Sequence, residues 1–337
     1  MKVLVTGGTG YIGSHTVVEL IEAGHEVVIL DNLVNSQPVV VDRISQITGT
    51  SPTLAVGDIG DPDLVDRVLT EYEPEVVIHF AGLKAVGESV AQPLRYYRNN
   101  VSGTITLLER LDAHEIRKLV FSSSATVYGD PQTLPITEDA PLSAVNPYGG
   151  TKLQIEQVLR DVAVSDDRWR FAALRYFNPA GAHVSGLMGE DPTDTPNNLL
   201  PYITQVAVGR REKVRVFGDD YDTPDGTGVR DYVHVVDLAR GHLAAIETMS
   251  EHRGFDAWNL GTGVGTSVLE LINTFSEVNG VEVPYEIVDR RSGDSASSYT
   301  DPAKAHRDLG WKATHDLAAM CRDSWRWQSQ NPEGYGG

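Results

Sequence analysis

The first thirty-one residues constrain this chain more than any other stretch. Lys2–Thr6 (KVLVT) is short and apolar, as a buried parallel strand is. Gly7-Gly8-Thr9-Gly10-Tyr11-Ile12-Gly13 follows, with glycines at 7, 10 and 13. Ser14–Ala23 then places Val17, Val18, Leu20 and Ile21 on one face of an expected helix, and Gly24 supplies its stop. Glu26–Leu30 reads as a second strand, ending in Asp31. Each part has a physical task. Gly7 permits a tight turn, Gly10 lets a diphosphate approach the backbone, and Gly13 lets helix and strand pack closely. The helix N-terminus offers free N–H groups and the positive end of its dipole to that diphosphate. Asp31 can accept hydrogen bonds from a ribose diol and would repel a 2′-phosphate, so NAD is expected rather than NADP. The glycine spacing is G-x-x-G-x-x-G, a variant of the usual G-x-G-x-x-G. A glycine turn alone is an ordinary connection; the two strands, the helix and the acid make it a dinucleotide site.

Composition narrows the partners. The 337 residues carry a formal charge of −19, with a pI near 4.8, which argues against nucleic-acid or anionic-membrane binding. A phosphorylated small ligand needs only a locally basic pocket. The single cysteine, Cys321, excludes an intramolecular disulfide and a cysteine-based zinc cluster. No His-x-x-x-His or His-Glu-x-x-His pattern occurs, so no metal is expected. No signal-peptide pattern and no apolar run of membrane-spanning length is visible, so a cytoplasmic protein is expected.

Strands and helices alternate through the first half. Further strands are expected at Thr53–Val56, Glu75–Phe80, Lys118–Phe121 and Phe171–Tyr176. Helices are expected from Asp61-Pro62 to Tyr72, over Pro93–Ala113, and from Pro147 to Val162. This rhythm predicts an α/β fold, a Rossmann-type doubly wound parallel sheet. Beyond it lie Gly-, Pro- and Asp-rich loops at Pro179–Pro201 and Asp219–Arg230. Short elements follow: Leu199–Val208, Val214–Phe217, Val235–Met249, Thr266–Val278, Tyr285–Val288 and Leu317–Gln328. The expected division is an NAD-binding region over 1–178 and a smaller C-terminal α/β substrate lobe over 179–337, with room for the chain to cross between them.

The strongest chemical signal is Tyr148-Gly149-Gly150-Thr151-Lys152 at a helix start. At i, i+4 the two side chains share a face, with Cβ atoms about 5–6 Å apart. A phenol titrates near ~10, too high for a base at neutral pH, and a neighbouring ammonium lowers that value. The phenol could then exchange a proton with a sugar or alcohol hydroxyl. Ser124, at the end of the expected fifth strand, could hydrogen-bond the same hydroxyl, because strand C-terminal ends line the ligand crevice. In isolation this tyrosine would be a helix-start residue and this lysine a solvated charge. Downstream of a dinucleotide turn and a serine-rich strand end, the catalytic reading prevails.

These motifs resemble the extended short-chain dehydrogenase/reductase family. Asp31–Leu33, His79–Ser89, Phe121–Asp130, Arg175–Pro179, Met188–Pro192, Pro196–Leu199 and Gly226–Tyr232 extend the likeness over essentially the whole chain, toward its UDP-hexose epimerases. The resemblance implies tightly bound NAD, regenerated each cycle. Gly7, Gly10, Tyr11, Ile12 and Gly13 would hold its diphosphate. Asp31, Asn32, Asn35 and Ser36 would serve the adenosine ribose, and Asp58 and Ile59 the adenine. Phe80, Ala81, Gly82, Lys84, Asn99 and Phe177 would line the rest of the cofactor site. Tyr148 would be the base, Ser124 its partner, and Lys152 would bind the nicotinamide ribose and lower the Tyr148 pKa. On the UDP-hexose side, Lys84, Ser124 and Tyr148 would be joined by Asn178, Asn198 and Leu199 at the diphosphate. Arg215, Val216 and Phe217 would flank the uracil, with Arg230, Arg291 and Asp294 at the phosphates and uridine ribose. Guanidinium–phosphate pairing makes this plausible for an acidic chain, although a lone arginine is by default a surface ion-pair partner.

The implied reaction interconverts UDP-glucose and UDP-galactose. C4 is oxidised, the 4-keto sugar turns over, and C4 is reduced on its other face. Ser298 occupies the place where bacterial members confined to these two sugars carry tyrosine, which implies room for a 2-acetamido group and hence UDP-N-acetylglucosamine and UDP-N-acetylgalactosamine. An alignment one residue out would put Tyr299 there instead. A 4,6-dehydratase would carry an Asp-Glu pair just after the serine, where this chain has Ala125-Thr126. A non-catalytic NAD sensor would not need Ser124, Tyr148 and Lys152. The family also implies a homodimer. His79, in a buried strand, reads as a satisfied core histidine, and the Trp325/Trp327 pair as helix packing.

Overall fold

A computed structural model describes residues 1–192, 195–291 and 294–336. Strand β1 (Lys2–Thr6) runs through the glycine turn into helix α1 (Tyr11–Glu22), three residues earlier than the apolar spacing indicated. Gly7 has φ +71, and a Cβ on Gly13 would lie 2.3 Å from the Gly7 carbonyl oxygen. Any larger residue at 13 would push the helix off the strand. Then come β2 (Glu26–Asp31), α2 (Val39–Thr48), β3 (Thr53–Val56), α3 (Pro62–Tyr72) and β4 (Val76–His79). Asp61 caps α3 by accepting from the Leu64 N–H, with proline in the first turn.

The single helix expected over 93–113 is interrupted. It follows α4 (Val86–Ala91) as α5 (Pro93–Tyr96), a π-helical segment Tyr97–Ser102, and α6 (Gly103–Ala113). Next come β5 (Lys118–Ser122), a 3-10 turn over Ala125–Tyr128, α7 (Pro147–Ser165), β6 (Arg170–Tyr176) and β7 (Asn178–Ala180). The remainder comprises α8 (Leu199–Ala207), β8 (Val214–Phe217), β9 (Val229–His234), α9 (Val235–Thr248), β10 (Gly254–Leu260), β11 (Gly265–Ser267), α10 (Val268–Asn279), β12 (Tyr285–Val288), β13 (Ser297–Ser298), α11 (Ala303–Leu309) and α12 (Leu317–Gln330).

Seven parallel strands form the large sheet in the order β10-β6-β5-β4-β1-β2-β3. The order reverses between β1 and β4, so the ligand crevice opens at their C-terminal ends. Alternate strand residues feed two cores. Val3, Val5 and Ile29 pack with α1, α2 and α9, whereas Leu4, Val28 and Leu30 pack with α3, α6 and α7. The edge strand β10 comes from well beyond residue 178 and was not expected. Its sequence, GFDAWNL, places Asp256 and Asn259 inside a short run that neither alternates nor stays apolar. A smaller sheet orders β11-β9-β13, with β7 also on β9, and β12 pairs with β8. A third core unites α8, α10 and α12 through Leu200, Ile203, Leu271, Phe275 and Met320.

Candidate active site

The crevice is built around the turn after β1. A Cβ on Gly7 would lie 2.7 Å from the Ala81 backbone nitrogen, so the chain ends of β1 and β4 touch there. A Cβ on Gly10 would meet only the Gly7 carbonyl oxygen, at 3.3 Å, which leaves its outer side open for a diphosphate. Buried Asp31 accepts from the Thr9 and Leu33 N–H groups and from the Ser36 hydroxyl, at 3.0, 2.9 and 3.2 Å. Asn32 donates to Asp58 at 2.7 Å, drawing the segments after β2 and β3 together beside buried Ile59, while Asn35 is exposed. Tyr11 donates to the Gly181 carbonyl at 2.6 Å and joins α1 to the segment after β7; Ile12 packs into the core below. This cradle, with a carboxylate at the end of β2, fits NAD.

At the other end of the crevice stand Phe80, half-buried against His242 at 4.6 Å between ring centres, buried Phe177, and Ala81 and Gly82. Asn99 lies in the π segment and donates to Asn100, as it would where such a distortion re-aims a side chain. Asn100 was not singled out from the sequence. It accepts from the Leu83 N–H and donates to the Leu83 carbonyl and the Thr151 hydroxyl, tying the loop after β4 to α7. His79 hydrogen-bonds with Thr6 and Thr104 through its two ring nitrogens, and burial pushes its pKa down to about 3.

Ser124, Tyr148 and Lys152 are all more than nine-tenths buried and stand together where β5 meets α7. Asn146 caps α7 by accepting from the Gly149 N–H, so the helix starts at Pro147 and both side chains lie in its first turns. The Ser124 hydroxyl accepts from the Thr126 backbone and side chain, at 3.2 and 3.0 Å. The Lys152 ammonium donates to the Ser122 carbonyl at 2.7 Å and sits 4.8 Å from the Phe121 ring centre and 5.9 Å from that of Tyr148. Burial pushes this ammonium down to about 8, with the Glu156 carboxylate opposing. The tyrosine departs from the expected lowering. Burial, with Tyr176 adding to it, raises the Tyr148 pKa, and the Ser124 hydroxyl opposes it. Desolvation of the phenolate outweighs a cation held against a carbonyl.

The second-half loops gather most of the remaining candidates. Asn198 and Lys84 both donate to Glu190 Oε1, at 2.8 and 3.2 Å, so one carboxylate links residues 84 and 198. Glu190 lies inside the Met188–Pro192 segment, and its role is hidden in the sequence because its partners are 106 and 8 residues away. Leu199 opens α8, and Asn178 opens β7 beside Tyr232. Arg230 donates to the Val229 carbonyl and lies 4.0 Å from Asp294, and the Arg291 guanidinium stacks 3.8 Å over the Phe217 ring. Val216 is buried in the third core, so only its backbone can face a ligand. Arg215 is exposed and reaches Glu286 at 3.5 Å instead of this cluster. Ser298 pairs in register with Arg230, and Tyr299 next to it lies against Gly265.

Comparison with known proteins completes the picture. Residues 4–324 match the family described as GDP-mannose 4,6 dehydratase. The UDP-glucose 4-epimerase of Bacillus subtilis (strain 168) is 59% identical over 335 residues, covering 99% of both chains. The crystal structure of UDP-glucose 4-epimerase from Bifidobacterium longum in complex with NAD+ and UDP superposes with a TM-score of 0.96 at 53% identity, over 99% of this chain and 100% of that one. The enzyme of the same description from Stenotrophomonas maltophila, with bound NAD and formylated UDP-arabinopyranose, also gives 0.96 at 53% identity, over 98% of each chain.

Proposed function

This chain belongs to the UDP-glucose 4-epimerase family, and we propose that it interconverts UDP-glucose and UDP-galactose with NAD as a resident cofactor. One observation carries the reading: Ser124, Tyr148 and Lys152 stand together, buried, where β5 meets α7 in a sheet whose β1–β4 switch point carries the glycine cradle. When bound, NAD supplies a hydride acceptor that becomes the donor, and a formal positive charge at its nicotinamide. Tyr148 takes the proton of the sugar 4-hydroxyl and returns it after the 4-keto sugar has turned over. Ser124 orients that hydroxyl. Lys152 holds positive charge beside a phenol that burial alone would keep protonated, so base strength depends on the cations gathered around it. Asn178, Asn198, Arg230, Arg291 and Asp294 would hold the UDP end and leave the hexose free to rotate. Incubating the purified protein with UDP-galactose and no added NAD should yield UDP-glucose. A 4-keto-6-deoxy product would identify a dehydratase, and no conversion even with NAD supplied would leave a sensor.

A second reading rests on register. In a parallel pair, residues opposite each other share a face, so Ser298 stands on the Arg230 side of β13. Tyr299 belongs to the opposite face, where a Cβ on Gly265 would lie 3.1 Å from its ring. The small residue therefore faces the phosphate-binding arginine, and UDP-N-acetylglucosamine should also be a substrate. Assay of that sugar decides it; turnover of UDP-galactose alone would reject it. The positions of these candidates support a division into a cofactor region and a UDP-sugar lobe. A homodimer would cover the exposed apolar side chains Val90, Leu94 and Ile105 between α4 and α6. A single buried thiol suits the cytoplasm.

A further inference from the structure

One turn beyond the catalytic residues, on the same face of α7, lies a buried polar set that the reaction scheme does not use. Glu156, one turn after Lys152, is fully buried, and so is Arg175 on β6. They pair fork to fork: Arg175 Nε and Nη2 donate to the two carboxylate oxygens at 2.9 and 2.6 Å. The Ser123 hydroxyl donates to the same carboxylate at 2.7 Å. Ser123 lies between Ser122, whose carbonyl receives the Lys152 ammonium, and Ser124, whose hydroxyl opposes the rise of the Tyr148 pKa. On its other side Arg175 donates to the Tyr128 hydroxyl at 2.9 Å, and Tyr128 donates to Asn259 at 2.6 Å. Asn259 and the Thr300 hydroxyl both donate to the Ile136 carbonyl, at 3.1 Å each. The Thr300 N–H donates to Asp231, the neighbour of Arg230 on β9. A buried ion pair returns little net stability compared with well-packed apolar side chains, so stability alone is a poor account of its presence here.

We propose that Glu156 and Arg175 are positioning residues for the epimerisation: through Ser123 they fix the strand end that presents Ser122 and Ser124 to Lys152 and Tyr148, and through Tyr128 and Asn259 they tie that strand end to the strand carrying Arg230. The proposal rests on the epimerase reading above. The Glu156 carboxylate also opposes the downward push of burial on the Lys152 ammonium, so its charge has a consequence that packing does not.

The test uses the NAD-loaded enzyme with UDP-galactose. Ser123→Ala removes one hydrogen bond and leaves every charge in place; kcat should fall about tenfold, with KM within about twofold. Glu156→Gln should move the alkaline limb of the kcat–pH profile to lower pH by about one unit, because the ammonium loses a neighbouring anion. Superimposable pH profiles, with Ser123→Ala at parental kcat, would overturn the proposal. If circular dichroism shows that Glu156→Gln does not fold, Ser123→Ala decides alone: parental kcat overturns the proposal, and the stated loss at constant KM supports it. A parent enzyme that does not epimerise would instead overturn the proposed activity, and is seen before any variant is made.

Discussion

At the scale of single residues, the central group is the Tyr148 phenol. Replacing it with phenylalanine removes the proton acceptor and little else, so kcat should drop about a hundred- to ten-thousand-fold while NAD stays bound, as absorbance of the purified protein would show. Lys152, pushed down to about 8 by burial, loses its charge as pH rises through that value. Activity that needs the ammonium should therefore decline on the alkaline side from near pH 8, and Lys152→Met should lose that titration along with most turnover. Ser298→Tyr tests the specificity reading: UDP-galactose turnover should survive, and UDP-N-acetylglucosamine turnover should vanish. Tyr148, Lys152 and Ser124 were legible because helix spacing and a strand end are local facts. Glu190, Asn100 and the Glu156–Arg175 pair were not, since each acquires its meaning from a partner that only the fold brings near. The direction of the Tyr148 shift was also hidden, because it depends on burial, which spacing does not report.

At the scale of elements, the strand–turn–helix at the N-terminus was readable almost residue by residue. Three glycines at fixed spacing leave the backbone few alternatives, and the contact between Gly13 and the Gly7 carbonyl shows why. Gly13→Ala should force α1 away from β1, costing about 1–3 kcal/mol, and the variant should purify with little NAD. The capping box of Ser267 and Glu270 that opens α10 is a four-residue pattern of the same local kind. The π segment at 97–102 was invisible for the opposite reason. Helical periodicity continues across it, and the extra residue is set by Asn100 reaching Leu83 and Thr151. Strands β9 and β10 were missed because Asp231, His234, Asp256 and Asn259 interrupt their apolar runs. In the fold those side chains find partners, as Asp231 does in Thr262, Gly263 and Thr300.

At the scale of the molecule, the sheet places the cofactor cradle after β1 and the proposed catalytic set after β5, on the two sides of β4 and at the same strand ends. The chain returns to this sheet through α9 and β10 after building β9, the strand that carries Arg230. Among the described residues no helix is long and apolar enough to cross a membrane. The exposed Leu94 makes the proposed dimer testable: Leu94→Glu should shift the mass seen by light scattering from two chains to one. The account stands on a hydride that leaves C4 and comes back to it without meeting water. Conversion of UDP-galactose deuterated at C4 measures this directly. The account predicts UDP-glucose with the deuterium retained at C4, whereas loss of the label to solvent would contradict it.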